Sequence, residues 1–366
     1  MKNLPHYTII FLFFTLLLLP QAADDFFELR HNAELEKRNL TPFPQKFEYG
    51  KIASQLEECY NDRIPFRPVL IKACRKIQDI LSLDSPGKVL PGKEGFLFLR
   101  NPKLDDPIEQ FRGRRKSRQY NLRRCRNFLK ELFAFLQSNN IQALIVIAPN
   151  KVQVYPEYLP EKRRYIPSAM MPDLQFARFM HKNAPEIPVL HLRQKMLREK
   201  KHFGNALYYR TDSHWGPVAG YIGAREIIKH LDSASCLPEP ENLKTGCSGN
   251  PEPGDLISLS LRPLNITENY PEIKLLTPEY KGRSKKIGDN ILYTHNPAAK
   301  DKRRVVMYRD SFGKALMPYL SWYFQEVYYI KSRRISRKEI KKIAPDICII
   351  QYVARAVGYM DMTLHP

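Results

Sequence analysis

ALIVIAPN, residues 143–150, is the stretch from which the fold can be read. Ala143–Ile147 is a continuous apolar run with no polar face, so a strand made of it needs cover on both sides. The run ends at Ala148-Pro149-Asn150, where proline removes a ladder donor. Upstream, Leu122, Phe128, Leu129, Leu132, Phe133 and Leu136 have the spacing of a helix over 118–139. Downstream, further strand runs stand at Val189–Leu192, Arg304–Tyr308 (RVVMY), Val327–Ile330 and Ile347–Ile350 (ICII). Helical segments come between them, near Met171–Ala184, at Pro217–His230 and at Lys314–Phe324, where Pro318 is expected to introduce a kink. A turn at Gly92–Gly95 feeds a strand at Phe96–Leu99, and the Pro- and Gly-rich stretch 236–300 reads as an insertion or an edge hairpin. The alternation predicts an α/β fold, an open and mostly parallel sheet with helices on both faces.

The chain has 366 residues, 43% hydrophobic and 27% charged, as in ordinary globular proteins. That length suits one catalytic domain, 88–366, behind a helical lead-in over 24–87 and a separate N-terminal segment, 1–23. Tyr7–Leu19 (YTIIFLFFTLLLL) is almost wholly apolar and follows Lys2. PQAADD after it is a poor cleavage site, so the segment reads as a membrane anchor with the rest of the chain outside the cytoplasm. A cleaved signal peptide is the alternative.

Lys and Arg outnumber Asp and Glu by 59 to 38, a net +21. An anionic partner follows from that balance: nucleic acid, membrane headgroups or an acidic polymer. The basic clusters, such as Arg112–Arg118 and Arg333–Lys342, lack the aromatic interleaving of nucleic-acid-binding motifs, and solvated helix faces account for them as well. None of the six cysteines forms a C-x-x-C pair, which leaves zinc and thioredoxin-like chemistry without support. Cys236 and Cys247 flank a loop and are a possible disulfide in an exported chain, while Cys348 reads as a buried thiol.

In a parallel sheet, ligands gather at the carboxyl ends of the strands. Three loops are therefore of interest: Ala148–Tyr155, Arg309–Gly313 and Gln351–Arg355. YRDSFG (308–313) puts Ser311 where a strand gives way to a helix, so backbone N–H groups near Ser311 and Gly313 are expected to face a developing oxyanion. A plain helix cap at Asp310 or Ser311 is the simpler reading. LYYRTDSHWG (207–216) carries Asp212 and His214 just before a helix. In an extended D-x-H segment the two side chains point the same way, so the carboxylate orients the imidazole. Trp215 is expected to wall the site. An N-cap with a surface histidine is the plainer alternative, and no Cys/His cluster supports a metal. Lys151, Tyr155, Arg210, Arg309 and Gln351 are secondary candidates for oxyanion or substrate contacts, with packing or surface roles equally open to them. Asn265-Ile266-Thr267 is a chance sequon.

EKRNLTPFP (36–44), YNDRIPFR (60–67), LPGKEGFLFL (90–99), APNKVQVYPEYLP (148–160), YYRTDSHW (208–215) and YRDSFG (308–313), in that order, resemble the AlgX/AlgJ-type proteins, an SGNH-hydrolase-like family that includes alginate O-acetyltransferases. The resemblance implies a permuted SGNH three-layer sandwich and a triad of Asp212, His214 and Ser311. It implies acetylation of an exported polysaccharide acceptor, with acetyl supplied by a multi-spanning membrane-bound O-acyltransferase. No cofactor is implied. Carbohydrate acetylesterase and non-catalytic scaffold of an export complex are the competing expectations. The chain departs from the family's V-E-R pattern at Ala354, and the carbohydrate-binding domain of the AlgX branch has no counterpart by Pro366. The AlgJ-like, anchored arrangement is therefore expected.

Overall fold

The computed structural model describes residues 88–101, 105–114, 119–160, 170–232, 254–260 and 282–359, with 237, 244–247, 268, 271–274 and 364–365, and upstream Phe11, Thr15 and Glu57. Contacts divide the chain into two compact units, 1–87 with 257–265, and 88–256 with 266–366. The described residues of the first unit are helical. The anchor, the lead-in, Cys236 and Asn265 otherwise lie outside the described residues. No helix among the described residues is long and apolar enough to cross a membrane.

The second unit begins with a hairpin, β1 (Val89–Pro91) and β2 (Leu97–Leu99), closed by a 3-10 turn at Lys93–Gly95. After α1 (Pro107–Phe111) come α2 (Gln119–Ser138), β3 (Gln142–Ala148), α3 (Lys151–Val154), α4 (Pro172–Asn183), β4 (Val189–His191), α5 (Arg193–Phe203) and α6 (Pro217–Leu231). Next are β5 (Lys244–Cys247), α7 (Asp255–Ser260), β6 (Pro271–Lys274), β7 (Arg283–Lys286), β8 (Ile291–His295) and β9 (Asp301–Arg309). The chain continues through α8 (Met317–Tyr323), β10 (Phe324–Lys331), β11 (Ile335–Ser336), α9 (Arg337–Ile343) and β12 (Ile347–Val353).

Seven strands form the main sheet in the order β4-β3-β12-β9-β10-β8-β7. The first five run parallel, and the β7–β8 hairpin extends the edge antiparallel to β10. The end of the 236–300 stretch is thus an edge hairpin of the sheet itself. β12 is buried along its whole length, as a strand covered on both faces must be. Its residues alternate between two cores. Ile347, Ile349 and Val353 pack with residues of α6 and α8, while Cys348, Ile350 and Tyr352 pack with α2, α4 and α9. Each such fully buried aliphatic side chain contributes roughly 1.5–3 kcal/mol. Cys348 and Cys125 are buried free thiols, and burial pushes Cys348 up to about 12.

The sandwich matches the fold expected from ALIVI and its sister runs. Pro318 does not kink a helix. The chain leaves β9 in a 3-10 turn, Ser311–Leu316, and Pro318 stands in the first turn of α8, where its missing N–H removes no helical bond.

Candidate active site

The loops after β3, β9 and β12 meet at one edge of the sheet. Asp310 connects two of them: one carboxylate oxygen accepts the N–H of Phe312 (2.9 Å), and the other accepts the N–H of Val353 (2.6 Å). The cap of the Ser311 turn is therefore Asp310, and Ser311 itself is exposed. Because Asp310 takes the Phe312 N–H, that group is withdrawn from any oxyanion. Asn150, the N-cap residue of α3, accepts from Arg355 (3.1 Å), whose guanidinium lies 5.2 Å from the centre of the Phe312 ring.

Asp212 and His214 lie between α5 and α6, on a loop closed by the Tyr208–Trp215 bridge. The Asp212 carboxylate accepts from the backbone N–H of His214 (2.8 Å) and from its Nδ1 (2.7 Å). The pairing thus comes from an Asx turn rather than from the extended segment expected, since a short carboxylate readily reaches the N–H two residues on. Burial alone would raise the Asp212 carboxyl. The hydrogen bond and charge of His214, with the N–H groups of His214 and Asp255, outweigh it and hold the group well below the usual carboxylate range. With Nδ1 turned to Asp212, the ring's other nitrogen, Nε2, remains for a substrate-side partner.

The two loops are locked together. The indole N–H of Trp215 donates to the Phe312 carbonyl at 2.8 Å, and the Phe312 ring sits 5.1 Å from the His214 ring. The residue that follows Ser311 thus packs on both His214 and Trp215.

Of the secondary candidates, Lys151 and Tyr155 are buried. Lys151 Nζ donates to the carbonyls of Leu97 (2.6 Å) and Arg210 (2.9 Å), so it ties the β1–β2 hairpin to the Asp212 loop. Burial pushes its ammonium down to about 7 against the pull of Asp212, Glu268 and Asp255. The Tyr155 hydroxyl donates to the Gly204 carbonyl and accepts the Leu207 N–H, which makes it a core strut. The Arg210 side chain is exposed, with its guanidinium 5.9 Å from the Phe96 ring centre. Arg309 and Gln351 lie beneath Gly313. A Cβ on Gly313 would come within 2.7 Å of Arg309 Cβ and 2.9 Å of Gln351 Oε1, so only glycine fits. The Gln351 carboxamide is buried without a hydrogen-bond partner.

Three groups escaped the sequence reading, all from the 236–300 stretch. Asp255 accepts from the Ser213 N–H and hydroxyl, both at 2.7 Å, and gives its own N–H to Asp212 (3.1 Å). Gly254 backs directly on the Asp212 loop, where a Cβ would come within 2.3 Å of the Thr211 carbonyl carbon and oxygen. Glu268 accepts from the N–H groups of Arg210 and Thr211 and from the Thr211 hydroxyl. Nothing in PEPGD distinguishes it from any other turn until Thr211 is seen behind it. Ligating atoms of Asp212, His214 and Asp255 lie within 4.8 Å of one another. All four carboxylate oxygens already accept N–H or O–H groups, so the grouping is a hydrogen-bonded cluster.

A family model described as SGNH hydrolase-like domain, acetyltransferase AlgX, matches residues 89–291. The chain belongs to the AlgX family. The matched span holds Asp212, His214 and Asp255 and ends before Ser311. Two curated relatives carry the name probable alginate O-acetylase AlgJ. The one from Azotobacter vinelandii is 25% identical over 220 residues, and that from Pseudomonas putida is 27% identical over the same length. In both cases the match covers 59% of this chain and 53% of the relative, so the chain spans about half the length of the AlgJ proteins it matches. Among solved structures, Bacillus cereus PatB1 with a sulfonyl adduct superposes with a TM-score of 0.53 at 14% identity, over 73% of this chain and 96% of PatB1. That likeness shows a shared fold for this AlgX-family member.

Proposed function

We propose that this AlgX-family chain is an O-acetyltransferase that acetylates hydroxyls of an exported polysaccharide through an acetyl-serine on Ser311. The observation that carries the reading is the Asp212–His214 pair, 2.7 Å apart, on a loop bonded through Trp215 to the residue after Ser311. His214 Nε2 takes the Ser311 proton as the hydroxyl oxygen attacks the acetyl carbonyl carbon. Asp212 holds the ring and stabilises the imidazolium. The Ser311 N–H, at the start of its turn, and the nearby positive charge of Arg355 favour the tetrahedral oxyanion. Collapse expels the donor's leaving group, which takes the proton from His214. A sugar hydroxyl then gives its proton to His214 and attacks the acyl-serine carbonyl; on collapse the acetylated sugar is released and Ser311 Oγ takes the proton back from His214.

The name of the AlgJ relatives supports a polysaccharide acceptor. The net charge of +21 favours an anionic one. The apolar segment Tyr7–Leu19 supports a site on the periplasmic or cell-surface side, anchored to the cytoplasmic membrane. Acetyl then has to cross that membrane, a task for a membrane-bound O-acyltransferase partner.

The test is incubation of the chain with a chromogenic acetyl ester, with and without an oligosaccharide acceptor. Acetylated sugar supports the proposal, and acetate alone makes the chain an esterase. Ser311→Ala is expected to abolish turnover and leave folding intact, since it removes one exposed hydroxyl. An active Ser311→Ala variant would overturn the assignment.

A further inference from the structure

Asp255 is the first residue of α7 and lies against both Asp212 and Ser213. Its carboxylate is taken up by the Asp212–His214 loop. One oxygen accepts the Ser213 N–H and the other the Ser213 hydroxyl, both at 2.7 Å. That second oxygen is 3.8 Å from His214 Nδ1, and the Ser213 hydroxyl oxygen is 3.4 Å from the same nitrogen. With the hydroxyl proton committed to Asp255, a lone pair of Ser213 Oγ faces the Nδ1–H. The ring nitrogen is thus held by Asp212 directly and by Asp255 through a bridging hydroxyl. Asp212 and Asp255 are also joined to each other, because the Asp255 N–H donates to the Asp212 oxygen that His214 leaves free.

From this geometry we infer that Asp255 is a positioning residue and a second counter-charge for His214. The inference rests on the reading of His214 as the base. With Asp212 bonded to Nδ1 and the Asp255 carboxylate 3.8 Å from it, the imidazolium that forms when Nε2 takes the Ser311 proton has two counter-charges. The other charges around the ring set the background. Lys151 and Glu268 lie behind Asp212, and Asp310 and Arg355 lie on the Phe312 side. Lys151 tempers the acids, yet burial holds its ammonium down to about 7, so above neutral pH its compensation is weak and the acid pair dominates. Gly254 makes the arrangement possible. With no side chain, it lets the turn carrying Asp255 lie directly on the Thr211 backbone.

The experiment is an NMR titration of the His214 ring in the 13C-histidine-labelled full chain, its resonance identified by its loss in His214→Gln. The readout needs no substrate. Asp255→Asn removes the charge but keeps an acceptor for the Ser213 N–H. It is expected to move the His214 titration to lower pH by about one unit. The acid limb of kcat/KM should follow, with roughly tenfold lower kcat at its plateau. Should Asp255→Asn fail to fold, Ser213→Ala breaks the hydroxyl bridge and should move the titration the same way by less. An unmoved titration in a folded variant overturns the inference and leaves Asp255 as a strut. An active Ser311→Ala variant, by contrast, overturns the function reading and leaves the titration result standing.

Discussion

Trp215 and Phe312 are 97 residues apart in sequence and joined by one hydrogen bond of 2.8 Å. Both side chains are buried, and their rings lie 5.8 Å apart. The link runs from the residue after His214 to the residue after Ser311, so it fixes one loop against the other. Trp215→Phe keeps a ring but leaves the Phe312 carbonyl without its donor in a buried place. The expected cost is about 1–3 kcal/mol in stability. A fall in kcat larger than any change in KM should accompany it, read by denaturant unfolding and steady-state kinetics.

Asp310 spends both carboxylate oxygens on backbone N–H groups, those of Phe312 and Val353. Hydrogen bonds to a charged group are the stronger kind. Asp310→Ala should cost about 3 kcal/mol and nearly all turnover, because the Ser311 turn loses its cap and its tie to β12. Asp310→Asn, which keeps one acceptor oxygen, should recover part of the stability. Melting curves and ester turnover of the two variants together check this.

A methyl group on Gly254 would meet the Thr211 carbonyl at 2.3 Å and the Asp212 nitrogen at 2.5 Å, contacts that must be relieved by moving backbone. Gly254→Ala is therefore expected to destabilise by about 1–3 kcal/mol. It should also lower kcat well beyond what an alanine in an exposed loop does. A variant with wild-type kcat would mean that the Asp212 loop holds its place without the turn behind it.

Lys151 imprints a pH dependence on stability. Its folded-state value is pushed down to about 7, against about 10.4 in an unfolded chain. Between those two values the unfolded chain binds more protons, so stability rises with pH across that window; below it the cost of the buried ammonium is borne in full. Lys151→Met removes the charge and, with it, the rise, at the expense of the two donors to Leu97 and Arg210. Urea unfolding at a series of pH values from neutral upward should show a flatter profile for the variant.

The strands were legible because a strand buried on both faces has to be apolar at every position, and ALIVI, RVVMY and ICII are. The Asp212–His214 pair was legible because its partners are two residues apart, although the reason was an Asx turn rather than an extended backbone. For Lys151 the sequence left substrate contact and packing equally open, because a lysine on a loop ordinarily reaches water; its burial is explained by the carbonyls of Leu97 and Arg210. Gly254 and Asp255 were invisible for a related reason. Their partners, Thr211 to Ser213, lie some forty positions earlier, and neither residue belongs to a local pattern. Pro318 was read as an interior kink because the 3-10 turn ahead of α8, which makes it a starting residue, has no signature of its own.

β3 and β9 touch the same neighbour and not each other: β12 is wedged between them and bonds to both. Residues 347–353 are therefore the keystone of the molecule. Shortened upstream of Ile347, the chain would hold two partial sheets whose facing rims offer unpaired N–H and C=O groups, a template for stray association. Asp310 would lose its anchor in the same cut, so closing the sheet and completing the edge that bears Ser311 are one event.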